Sequence, residues 1–162
     1  MLTINLIDKV YSDGKYSQWL EAILEIFPSA WIESTFNAEL YQIKIPTTAG
    51  PIDINIWFRT DYFCKNNADA ILFIYPSTTS STEIQKNLGR TSYFLGIKMP
   101  RYQMVIIETT NQTAHRRPIL LTSFDNVIVQ SVNIDQTNKT YLVGPLIDLL
   151  RLITDNPDID LR

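Results

Sequence analysis

The spacing of apolar residues changes several times along the chain, and each change marks an element. Ile4, Ile7, Val10 and Tyr11 recur at helical spacing, which predicts a short opening helix interrupted by Ser12-Asp13-Gly14. A second helix is expected over residues 15–27. Tyr16, Trp19, Leu20, Ile23, Ile26 and Phe27 form its apolar stripe, and Pro28 closes it. The period then falls to two. Residues 31–36 read as a short strand. Residues 40–45 and 52–58 alternate and read as an antiparallel hairpin around Pro46-Thr47-Thr48-Ala49-Gly50-Pro51.

Two later runs do not alternate. Residues 70–75 (Ala-Ile-Leu-Phe-Ile-Tyr) are continuously apolar and 102–107 are so apart from Gln103, as expected of strands covered on both faces. Between them Ser80 and Glu83 have the spacing of a capping box. Ile84, Leu88, Thr91 and Leu95 then follow one helical face to Gly96. Strand, helix, strand in this order predicts a parallel crossover. Further strands are expected at 118–122, 127–134 and 140–143. A last helix follows Gly144, with Pro145 in its first turn and Leu146, Leu149, Leu150 and Ile153 as its stripe. The expected architecture is a single α/β domain over residues 1–155, a mixed β-sheet with helices packed on it, and a frayed tail at 156–162.

Composition narrows the function classes. The chain has 162 residues, 45% hydrophobic and 19% charged, which suits one domain with a real core. Cys64 is the only cysteine, so neither an intrachain disulfide nor a cysteine-based zinc site can form. That usage, with no signal-like N-terminus and no long apolar run, predicts a cytoplasmic protein away from the membrane. His115 is the only histidine, so a two-histidine metal motif is also excluded, and no metal or cofactor is expected.

The net charge is −3, which disfavours a dedicated nucleic-acid binder. The charge is uneven, however. Between residues 84 and 107 the charged residues are Lys86, Arg90, Lys98 and Arg101, with no acid, a local +4. Lys86 and Arg90 share a helix face, and Arg116 and Arg117 would extend the patch if their loop lies near. These six residues are the candidate anion- or partner-binding set. The hydroxyl-rich turn 77–82 precedes a helix N-terminus and could receive a small anion, although it contains no glycine. Glu108, at the end of a buried strand, is a candidate functional carboxylate.

Gly50-Pro51-Ile52-Asp53-Ile54, the strand at 70–75, the helix at 82–96 and the strand at 102–107 follow in an order that resembles the PDDEXK, or restriction-endonuclease-like, superfamily. The resemblance covers residues 15–108. It implies a metal-binding acid at Asp53, with Asp69, Glu83 and Lys86 as the other site residues and magnesium as the ion. The chain departs from the pattern where the superfamily has E-x-K, because apolar residues stand there. The resemblance therefore implies a catalytically degenerate member.

Three functions are compatible with the sequence. The preferred one is a non-enzymatic interaction module, an adaptor or regulator binding a protein partner, with homodimerisation as one version. Tyr93, Phe94 and the run Ile97-Lys98-Met99-Pro100 are expected to be partly exposed and to suit partner binding. The alternatives are a PDDEXK-like nuclease or its nucleic-acid-binding relative, and a nucleotide or small-anion sensor.

Overall fold

In a computed structural model the described residues are 1–11, 14–28, 30–34, 38–59, 67–112 and 127–162, with residues 30–34 described by backbone alone. Cys64, His115, Arg116, Arg117 and the strand expected at 118–122 lie outside them.

The elements in chain order are β1 (Leu2–Asp8), α1 (Gln18–Ile26), β2 (Ala30–Ser34), β3 (Ala38–Thr47), β4 (Gly50–Arg59), β5 (Ala70–Pro76), α2 (Ser81–Leu95), β6 (Tyr102–Thr109), β7 (Val127–Asn133) and α3 (Gly144–Ile153). The strands form one mixed sheet in the order β2-β3-β4-β1-β5-β6-β7. From β4 to β7 every neighbouring pair is parallel. β3 runs antiparallel to both β2 and β4. The expected hairpin, the two interior strands and their parallel pairing are all present, in a single mixed α/β domain.

Alternation divides the core between the two faces of this sheet. Ile4, Leu6, Leu72, Ile74, Met104 and Ile106 pack with Trp19 and Ile23 of α1 and with Leu146 and Leu150 of α3. Ile7, Ile71, Phe73, Val105 and Ile107 pack on the other face with Ile84 and Leu88 of α2. Residues 70–75 and 104–107 are unbrokenly apolar because helices cover both faces of these strands.

Three expectations need correction. The opening helix is instead β1, the central strand between β4 and β5. Ile4 and Ile7 are three apart and mimic a helical stripe, but they serve opposite faces of the sheet. Residues 140–143 form part of a 3-10 helix, Lys139–Val143, rather than a strand. Asn138 caps it by accepting the Thr140 N–H, and its last two residues, Leu142 and Val143, turn into the core. The tail expected to fray is docked. Ile159 is buried, and Leu161 bridges to Thr47. Arg151 donates to the Ile159 carbonyl at 2.7 Å. Among the described residues no helix is long and apolar enough to cross a membrane.

Candidate functional site

β1 and β5 are neighbours, yet the connections that leave them diverge. After β1 the chain passes through α1 on one face toward the β2–β4 side. After β5 it passes through α2 on the other face to β6. In open α/β sheets the carboxyl ends of the strands at such a switch point are the usual ligand position. Asp8 ends β1 and Glu108 lies one residue before the end of β6. Both continue the alternation of residues facing α1 and α3, so they point to the same side of the sheet. β5 runs between them, with Ile74 opposite both Asp8 and Ile106. Their strands are therefore two spacings apart, roughly 10 Å.

Both carboxyls are withdrawn from solvent, Asp8 to 1% exposure and Glu108 to 6%. Asp8 Oδ1 accepts the Val10 N–H at 2.9 Å. The Ser17 hydroxyl also bonds the Asp8 carboxyl, while Ser17 itself caps α1 by accepting the Leu20 N–H at 3.1 Å. Asp8 Oδ2 and Glu108 Oε2 are buried with no hydrogen-bond partner among the described residues. Burial raises the Asp8 pKa above the ordinary carboxylate value, against the lowering effect of Ser17 and Val10. Burial, and then the charges of Asp8 and Asp135, push Glu108 up to about 7.

The loop between β1 and α1 carries Gly14-Lys15-x-Ser17. Gly14 has φ 64° and closes a turn by donating its N–H to the Tyr11 carbonyl at 3.1 Å. A strand, a glycine-lysine loop and a hydroxyl at a helix start are parts from which phosphate cradles are built. Here a carboxylate of the chain itself already takes the Val10 N–H and the Ser17 hydroxyl. Sequence reading missed this arrangement because residues 4–11 read as a helix. Treating 2–8 as a strand ahead of Gly14-Lys15 is the signal that would have found it. The turn 77–82, which the small-anion alternative would use, is engaged in local structure. Ser80 caps α2 by accepting the Glu83 N–H, Thr79 N–H bonds Pro76, and Ser77 N–H bonds the Glu108 carbonyl.

The residues implied by the nuclease resemblance do not converge. Asp53 sits near the start of β4, facing Lys44 across the hairpin at 3.8 Å. Asp69 immediately precedes β5, and its carboxylate accepts the Thr3 N–H at 2.8 Å. Glu83 and Lys86 lie in the first turns of α2, past the other end of β5. The seven residues of β5 span about 20 Å, which separates the two pairs.

The cationic residues form a clearer grouping. Lys86, Arg90, Tyr93, Phe94 and Ile97 are all exposed, at spacings that place them along the solvent side of α2 and its 3-10 extension, Gly96–Lys98. Tyr93 is 85% exposed, Phe94 66% and Ile97 fully. The two rings meet edge to face at 5.9 Å. Beside Ile97 a groove of about 450 Å³ is lined by Asn67, Lys98, Met99 and Arg101. Arg101 lies over the Tyr102 ring at 5.2 Å.

No protein-family model matches the chain, and no curated protein matches it significantly.

Proposed function

We propose that this chain is a non-enzymatic interaction module of the cytoplasm, and that the solvent side of α2 docks an acidic segment of a partner protein. The observation that carries this reading is the exposure of Tyr93, Phe94 and Ile97 in line with Lys86 and Arg90, inside a segment holding no acid. Fully burying one such apolar side chain contributes about 1.5–3 kcal/mol, so three in one patch can anchor a complex. The cations select the partner. An acidic segment is steered to the patch, whereas a second copy would bring like charges together. At the β1–α1 turn the Val10 N–H and the Ser17 hydroxyl are taken by Asp8, which disfavours phosphate chemistry there.

The test is a photo-crosslinking residue at position 93 in the native host. The expected product is a discrete adduct with an acidic protein, weakened by salt and reduced at least about tenfold by Lys86→Glu with Arg90→Glu. An adduct with nucleic acid, an adduct with a second copy alone, or no adduct would contradict the reading. Magnesium-dependent cleavage of DNA or RNA that is abolished by Asp53→Ala would replace it with the nuclease.

A further inference from the structure

We infer that the groove between α1 and the β3–β4 hairpin is a binding site for a small aliphatic polyamine. The groove has a volume of about 400 Å³, within the range of small-molecule pockets. α1 turns Trp19 and Ile23 into the core. Leu20 and Leu24, one helical turn apart, line the groove together with Phe58 of β4 and form its apolar floor. Glu21 and Glu25 follow at the same spacing and are exposed, so they stand at the rim. Glu39 and Tyr41 of β3 line the opposite wall. They alternate with Leu40, which packs on the other face of the sheet with Trp57, and Glu39 lies opposite Phe58 in the hairpin register.

Carboxylates on both walls with an apolar floor between them match an alkyl chain that carries ammonium groups at its ends. Among the described lining residues three glutamates stand against one lysine, Lys15, so the groove favours a cation. A bare metal ion would leave the floor unused, and a neutral ligand would leave the carboxylates unused. Two phenols strengthen the match. Tyr16 donates to Glu21, and Tyr41 donates to Glu39. A carboxylate accepts more than one donor, so these bonds orient the two groups and leave them capacity for an ammonium. The bond to Glu21 pushes the Tyr16 phenol up to about 12, and burial and then Glu39 push Tyr41 up to about 12. Both rings therefore stay neutral, and neither is fully buried, so their π-faces are open to a cation. The groove lies on the α1 face of the sheet, away from α2, and the site stands independently of the docking proposed there.

Calorimetric titration with spermidine at low ionic strength tests this. Saturable binding is expected with a dissociation constant of about 1 mM or below. Glu25→Gln combined with Glu39→Gln should weaken it at least about tenfold. Glu25 is exposed, so Glu25→Gln alone keeps the fold and should already weaken binding about threefold. Magnesium at equal concentration should weaken it less than about twofold, because the metal ion gains nothing from the apolar floor. Backbone amide signals of Leu24, Glu25, Glu39 and Tyr41 should shift during the titration, while those of Lys86 and Arg90 stay in place. No saturation by about 10 mM spermidine would overturn the site. So would unchanged binding in the variants, a larger loss with magnesium, or signal shifts confined to residues outside the groove.

Discussion

Glu108 shows how one buried group sets a pH dependence. Its folded pKa, about 7, lies above the ordinary value of 4.5, so the folded state holds the proton more tightly. Its favourable contribution is complete below about pH 4.5 and is lost as pH rises to about 7. The shift corresponds to about 3 kcal/mol. Glu108→Gln is therefore expected to stabilise the fold by up to this amount at pH 8 and to change it little at pH 4, measured by urea denaturation. Trp19 offers a contrast. Its indole N–H donates to the Leu142 carbonyl at 2.9 Å in the core, so Trp19→Phe leaves that carbonyl without its donor. A loss of about 1–3 kcal/mol is expected in the same assay. The sequence marked Trp19 as a core residue from its place on the α1 stripe. It marked Glu108 from its place at a strand end, but could not reveal Asp8 as its neighbour, since that proximity arises only when β1 and β6 flank β5.

Among the elements, those with an unambiguous period were legible. The alternation at 40–45 and 52–58 fixed the hairpin, and the capping serine before Glu83 fixed the start of α2. β1 was not legible, because over seven residues a strand that buries Ile4 and Ile7 on opposite faces also fits a helical stripe. The C-terminal residues were not legible either. Asp155-Asn156-Pro157 correctly ends α3, but the residues beyond it are held by distant groups: Thr48 N–H to the Asp160 carbonyl at 2.9 Å, Arg162 N–H to Pro46 at 3.0 Å, and Arg151 to Ile159. The docked tail yields a prediction. Ile159→Ala should lower stability by about 2 kcal/mol, whereas a frayed tail would make the change neutral. Comparing midpoints of thermal unfolding distinguishes the two.

For the whole molecule, the decisive feature is the separation of two kinds of surface. The carboxyl edge of the sheet carries Asp8 and Glu108, both buried, on strands either side of β5. The α2 side carries four cations, Lys86, Arg90, Lys98 and Arg101, together with exposed apolar residues in a chain of net charge −3. The patch was largely legible, because the absence of acids between 84 and 107 and the aromatic pair 93–94 are visible without coordinates. The 3-10 extension that leaves Ile97 fully exposed, and the groove beside it, were not. Likewise, the separation of Asp53 and Asp69 from Glu83 and Lys86 required the strand order, because all four lie within a compact stretch of sequence. Hydroxyl-radical footprinting of the chain in host extract against buffer is the most direct measurement of the proposed docking. Tyr93, Phe94 and Met99 should lose reactivity in extract and regain it at high salt, while exposed Tyr141 stays unchanged. Equal reactivity of all four residues in extract and in buffer would contradict a partner on α2.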